Sequence, residues 1–267
     1  MLIIDPSAAL EATTRISACG ALIASLEMIT VRREFGEHGV FSRAGIMSLY
    51  RYDEKSGFKF VDKLAIATLG ISIVSYITLI LQGPFQPLGV IAIMTAFLCR
   101  NIILWRRLIG GDGAEQITTL TLAATLLAVV PEPSPQRINL AVSFIGAQLI
   151  LSYVTAGITK FSSPVWRRGD VLCRIMDTET YGQPWIVAVL RRFPRVATML
   201  SWLVILFQCS FLLLLAGPSW MAFGALALGL GFHLAVAVTM GINNFLWAFP
   251  ATYPCVVVLG AWISPFW

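Results

Sequence analysis

Apolar residues gather in long unbroken runs along the chain, not in alternation. Runs of roughly twenty recur at 12–31, 64–82, 86–105, 115–131, 138–160, 196–216, 219–240 and 244–263. About twenty apolar residues in succession carry a helix across the hydrocarbon core of a bilayer. The pattern predicts an all-α, polytopic transmembrane helical bundle of about eight spans. Arg15 and Glu27 interrupt the first run, and the fourth is short. Prolines 84, 131, 250 and 254 fall at or near run ends, where proline breaks or kinks a helix. Trp105, Trp166, Trp185, Trp220, Trp262 and Trp267 also fall near run ends, as an interfacial aromatic belt requires.

Composition agrees with this pattern. Of 267 residues, 57% are hydrophobic and 12% charged. A soluble domain carries about 25% charged residues, so this chain has too little polar surface to face water. A soluble globular enzyme and a disordered chain are both excluded. Residues 1–267 read as a single transmembrane domain, whose first partner is the lipid bilayer. Asp5 and Glu11 precede the first basic residue, Arg15, so no positive leader region is visible and the first span is expected to stay in the protein.

The net charge of +5 points to loops, not to nucleic acid. Arg32, Arg33, Arg43, Arg51, Lys55, Lys59 and Lys63 cluster in 32–63; Arg106 and Arg107 follow the third run; Arg167, Arg168, Arg174, Arg191, Arg192 and Arg195 lie between the fifth and sixth. With eight spans these loops share one side, and the opposite loops hold only Arg137. The positive-inside rule then places the basic loops in the cytoplasm and both termini outside. Residues 184–195 are expected to form a short interfacial helix resting on lipid. Ala225 with Gly229, and Ala227 with Gly231, are small pairs four apart that permit close helix packing.

Ionisable groups inside spans are costly and become candidates for function. They are Arg15, Glu27, Arg100, Lys160 and His233. Five dispersed cysteines and two histidines, His38 and His233, offer no ligand spacing, and no metal is expected. Tyr153, Gly157 and Lys160 recur at i, i+4, i+7 and share one helix face. A glycine there is expected to open room beside the lysine. A lysine in apolar surroundings can act as a neutral base; the plainer alternative is an amine snorkelling from a helix end. His233 lies deep in its run, as a hydrogen-bonded packing residue or a proton carrier. Asn243 and Asn244, about three turns on, either cap the next helix or line the same cavity. Arg100 needs an anion or carbonyl partner. Asp112, within Gly110–Gly113, either caps the helix beginning near Glu115 or contributes to a site.

Two stretches together carry a resemblance. Tyr153-Val154-Thr155-Ala156-Gly157-Ile158-Thr159-Lys160-Phe161, followed by Trp166 and Gly169, is similar to the pattern Y-x-x-A-G-x-x-K-[LF], W-x-x-G. Phe232-His233-Leu234, then Gly241-Ile242 and Phe245, is similar to the F-H-L, I-G, F stretch at similar spacing. A third, weaker element is Arg100-Asn101 to Gly111-Asp112. In this order the chain resembles the vitamin K-dependent gamma-carboxylases and their bacterial relatives, the horizontally transferred transmembrane (HTTM) domain family. In such carboxylases the motif lysine is proposed to deprotonate a reduced quinone. The quinol's reaction with oxygen then drives proton removal beside a glutamate carboxylate, and carbon dioxide is taken up. The resemblance implies Lys160 as that base, with His233 and Asp112 as supporting catalytic residues. Tyr153, Gly157, Asn243, Asn244 and Arg100 would line the site of a reduced quinone of the menaquinone or vitamin K type. It implies a peptide or small substrate, and lyase-like chemistry in a multi-pass protein of a bacterial inner membrane. The sequence shows no counterpart of the carboxylases' large soluble domain. The competing expectation is a non-catalytic membrane partner, acting with a soluble protein in the maturation or export of a secreted peptide.

Overall fold

The computed structural model describes residues 5–35, 58–106 and 111–264. Among them every regular element is helical and no strand occurs. In chain order these are α1 (Pro6–Thr30), a 3-10 turn (Arg32–Phe35), α2 (Phe58–Gln82), α3 (Pro87–Arg106), α4 (Gly113–Val129) and α5 (Pro135–Ser162). The short helices α6 (Pro164–Arg168), α7 (Asp170–Met176) and α8 (Pro184–Arg192) follow. The chain then runs through α9 (Pro194–Ala216), α10 (Ser219–Met240), α11 (Asn243–Ala248), a second 3-10 turn (Pro250–Thr252) and α12 (Tyr253–Ile263). The basic positions Arg43, Arg51, Lys55 and Arg107, together with His38, Gly110 and Trp267, lie outside the described residues.

Among the described residues six segments are long and apolar enough to cross a membrane: Leu64–Gln82, Pro87–Leu104, Pro135–Ser162, Pro194–Ala216, Ser219–Met240 and Asn243–Ile263. Between 28% and 50% of each is buried, yet outward residues such as Leu81, Leu140, Leu213 and Val238 are apolar too. A helix apolar on its outward face is matched to lipid, where its backbone polar groups are satisfied internally. The chain is therefore a multi-pass helical membrane protein. The expected count of about eight is not met: among the described residues six segments, not eight, have that length and hydropathy. The first run does form a helix of 25 residues, but α1 carries Glu11, Arg15 and Glu27 and buries Thr13, Thr14, Ser17 and Ser25. The fourth forms α4, whose 17 residues reach about 25 Å, less than the roughly 30 Å of a hydrocarbon core.

By packing, the chain divides into two compact units, Pro6–Ala141 and Val142–Trp267. The boundary falls inside α5.

In the first unit α1 packs on α2 and α4, and α3 packs on α2 and α4. Ala18, Ala21, Tyr76, Leu79, Ala92, Ile93, Ala96, Leu122 and Val129 form its core. The polar face of α1 is used within the unit: Thr14 Oγ1 lies 3.1 Å from Thr125 Oγ1. Arg15 donates to Glu11 Oε1 through Nε at 3.0 Å and Nη2 at 2.6 Å. Its Nη1 donates to the carbonyl of Ile80. A helix C-terminus leaves such carbonyls without an intrahelical partner and favours a cation there. Glu11 and Arg15 thus neutralise each other, and Arg15 closes the end of α2.

In the second unit α9, α10 and α12 contact one another, with α11 on α10. The arginine-rich stretch between α5 and α9 is not an open loop. Met176, Val187, Leu190 and Ala197 form a small apolar core of their own, against which Leu172, Cys173, Ile186 and Met240 pack. Within the stretch 184–195 a helix forms over Pro184–Arg192, α8. The preceding turns, α6 and α7, were not legible as helices.

Candidate functional site

Tyr153, on α5, is one of the largest fully enclosed side chains. Its hydroxyl lies 2.7 Å from His233 Nε2 on α10 and 3.2 Å from the hydroxyl of Tyr253, the first residue of α12. Rings wall this trio in. Phe211 meets Tyr153 edge-on at 4.6 Å, Phe207 lies tilted at 5.5 Å, and Phe249 stacks on His233 at 4.8 Å. Phe245 stacks in turn on Phe249 at 5.4 Å. Edge-on and offset-stacked rings are the arrangements the aromatic quadrupole favours.

Room for the hydroxyls comes from Gly229, one turn before His233 on α10. A Cβ at 229 would collide with Tyr253 Oη and stand 3.2 Å from Tyr153 Oη. Of the two small pairs in this helix, Ala225 and Gly229 are therefore internal packing positions. Gly231 has open space around it.

Hydrogen-bond accounting fixes the direction of this network. His233 Nδ1 is buried and has no hydrogen-bond partner among the described residues. A proton on Nδ1 would be an orphaned buried donor, which is much rarer than an unused acceptor. We therefore assign the ring proton to Nε2, which donates to Tyr153 Oη. Tyr153 then donates to Tyr253 Oη.

Lys160 is set differently. Its amine, half-buried, lies 5.1 Å from the centroid of the Trp166 ring and reaches its own helix at Ala156 O, 3.4 Å away. Among the described residues no carboxylate pairs with it. A cation above an indole face is attracted by the ring quadrupole. Phe161, the next residue, crosses Trp202 of α9 edge-on at 6.2 Å.

The shared face of Tyr153, Gly157 and Lys160 exists, but it holds two separate stations. Seven residues of helix put the lysine about 10 Å along the axis from Tyr153. Gly157 sits between them, and the room that the missing side chain provides is filled by α9. A Cβ there would meet Cys209 N at 2.7 Å, Cys209 Sγ at 2.9 Å and Gln208 C at 2.9 Å. The expected opening beside the lysine is a helix crossing: the missing side chain lets the α9 backbone approach closely.

Asp112 and Arg100 belong to the first unit. Asp112 caps α4, its Oδ1 accepting from Glu115 N at 2.7 Å. Arg100, on α3, donates from Nε to Thr119 Oγ1 at 2.8 Å and from Nη2 to Glu115 O at 3.0 Å. The carbonyl partner required by this intramembrane arginine is thus on α4. Asn243 and Asn244 are the first two residues of α11. The cap position belongs to Ile242, which makes no side-chain cap bond. Asn243 N donates to Gly241 O at 3.0 Å, where Gly241 ends α10 with φ +70°.

Sequence reasoning missed Tyr253. The available signal was a tyrosine between Pro250 and Pro254 in an otherwise apolar run, whose hydroxyl needed a partner. No protein-family model matches this chain, and no curated protein or solved structure matches it either.

Proposed function

We propose that this protein is a quinone-linked membrane enzyme, similar to the vitamin K-dependent carboxylases, in which Lys160 is the general base. The observation that supports this reading is the amine itself. It is half-buried on a membrane-spanning helix, beside an indole face, with no carboxylate partner among the described residues. An amine kept from counter-ions and partly from water is available to take a proton from a bound acid. A flat, apolar quinone would stack against the Trp166 ring, and Lys160 would face a ring hydroxyl. A reduced quinone bound there would supply the electrons, with molecular oxygen as their acceptor. Lys160 Nζ accepts a proton, and the aromatic surface keeps water from competing for it. The substrate would be a peptide or another small molecule, and the membrane a bacterial inner membrane.

The Tyr153–His233–Tyr253 network has a positioning role in this scheme. It locks α5 to α10 and α12 and thereby fixes the helix that carries Lys160. Asp112 and Arg100 shape α4 and its junction with α3.

The test is oxidation of a menaquinol analogue by the purified protein. Lys160→Ala should lose turnover while its melting temperature stays near that of the unaltered chain. Undiminished turnover in a folded Lys160→Ala protein would reject the base.

A second reading is favoured by the folded arginine-rich stretch from α6 to α8. A non-catalytic membrane partner would use that surface to hold a soluble protein during maturation or export of a peptide. Capture of the soluble protein that survives Lys160→Ala but fails after neutralising Arg167, Arg192 and Arg195 would favour it.

A further inference from the structure

The turns α6, α7 and α8 and the start of α9 enclose a cleft of about 430 Å³, within the usual range for small-molecule sites. Arg168, Arg174 and Arg191 line it, with Asp170; Cys173, Leu190, Pro194 and Ala197 supply apolar surface. Cationic groups thus stand beside an apolar floor.

The walls are fixed within the fold. Gly169 makes the corner between α6 and α7 at φ +83°, and a Cβ there would meet Thr198 N and Cα at 2.6 Å. Thr198 Oγ1 donates to Arg168 O at 2.9 Å, and Trp202 Nε1 donates to Arg167 O at 3.1 Å. The floor residue Leu190 is part of the small apolar core described above.

The charges are only partly spent. Arg191 Nη2 pairs with Asp177 Oδ2 at 2.7 Å, and Arg168 Nε stands 3.8 Å from Asp170 Oδ2. Arg174 has no carboxylate partner among the described residues. Each guanidinium carries five N–H donors, so one carboxylate contact leaves most of the fork free. A planar fork suits phosphate oxygens.

Position says where the phosphate comes from. The cleft lies between the end of one span at Ser162 and the start of the next at Pro194, at headgroup depth. On α8, Trp185 is 66% exposed, and Phe193, which follows, is 51% exposed. Large exposed aromatics of this kind anchor a surface element in the interface. A phosphate on the arginines with its glycerol and ester groups on the apolar floor matches both halves of the cleft.

We propose that this cleft binds the phosphate of an anionic glycerophospholipid, with Arg174 as its principal contact and Arg168 and Arg191 beside it. The proposal stands on the membrane fold and does not depend on the role of Lys160.

The experiment uses the whole protein in neutral detergent, titrated with short-chain phosphatidylglycerol, with short-chain phosphatidylcholine and with inorganic phosphate, and followed by calorimetry. Phosphatidylglycerol should bind saturably and more tightly than the other two. Arg174→Gln should weaken it about tenfold, the loss expected for one charge-assisted hydrogen bond. Arg192→Gln, on α8 but outside the cleft lining, should leave binding unchanged. Should Arg174→Gln disturb the fold, Arg168→Gln replaces it with the same expectation. Equal losses in the Arg174 and Arg192 variants would reduce the effect to diffuse surface charge and overturn the proposal. Inorganic phosphate binding as tightly as the lipid would overturn the lipid as its source.

Discussion

Tyr153→Phe tests the buried network with the least collateral change. The substitution deletes one oxygen and keeps the ring, so the contacts to Phe207, Phe211 and Phe249 at 5.5, 4.6 and 5.9 Å survive. It strands the Nε2 proton of His233 in a ring-lined site where His233 is 1% exposed. An orphaned buried donor costs about 1–3 kcal/mol. Hydrogen bonds between membrane helices average about 0.6 kcal/mol and reach about 1.7 kcal/mol. A destabilisation of about 1–2 kcal/mol follows. His233→Phe should cost less through hydrogen bonding, because Tyr153 still has Tyr253 at 3.2 Å.

The double variant separates hydrogen bonding from packing. With both polar groups replaced by rings, no donor is stranded, and such paired replacement can be nearly neutral. The double variant should therefore lie above the sum of the singles, with a coupling of about 1 kcal/mol. The assay is reversible unfolding of the purified protein in mixed detergent, followed by circular dichroism. Strict additivity, or a Tyr153→Phe protein within about 0.5 kcal/mol of the parent, would falsify the assignment of the Nε2 proton. Quinol oxidation measured on the double variant adds a second readout. A positioning role leaves the Lys160-dependent rate largely intact once folding is restored; a proton-carrying role does not.

Gly229→Ala should destabilise by about 1–3 kcal/mol through overpacking, and Tyr253→Phe should recover much of that by removing the oxygen the new methyl meets; thermal melting of single and double variants decides. Gly157→Ala faces backbone of α9, which cannot swing aside, so it should cost at least as much and resist rescue by Cys209→Ala; the same melts check this. Asp112→Ala removes the α4 cap and should cost about 0.5–2 kcal/mol, with Asp112→Asn recovering most of it in the unfolding assay.

The helices were legible because each depends on its own run of residues. α2, α3, α5, α9 and α10 lie close to the apolar runs that announced them, since a lipid-facing helix must be apolar on every side. Span count was less legible, because length and polarity disagree in α1 and α4. Arg15 read as an isolated membrane charge until its i, i+4 pairing with Glu11 gave it a partner. The face of Tyr153, Gly157 and Lys160 was visible from spacing alone, but its occupant was not. Whether a glycine admits a ligand or a neighbouring helix depends on residues fifty positions away, here Gln208 and Cys209. The cap role of Asp112 was within reach, being local. The partnership of Tyr253 with Tyr153 spans a hundred positions, and no local pattern encodes it.

The basic positions bear on whether α4 crosses the membrane. If only the six longest segments span, three crossings separate the arginines of 32–35 from those of 163–195, and the two sets face opposite sides. If α4 spans as well, four crossings separate them and they share a side. A 17-residue helix falls short of the hydrocarbon thickness by about 5 Å, at a fraction of a kcal/mol per Å, so about 1–3 kcal/mol in all. Each basic residue near the anionic cytoplasmic leaflet gains about 1 kcal/mol; seven lie in 32–63 and six in 163–195, so placing even the smaller set, Arg167, Arg168, Arg174, Arg191, Arg192 and Arg195, on the wrong side forfeits about 6 kcal/mol. The charge term is the larger, and we expect α4 to cross with the bilayer thinned around it. Glu34→Cys and Glu179→Cys, introduced singly after the native cysteines are replaced, should then react with a membrane-impermeant maleimide from the same face of sealed vesicles. Labelling from opposite faces would mean that α4 lies in the interface and that the arginines do not set the topology.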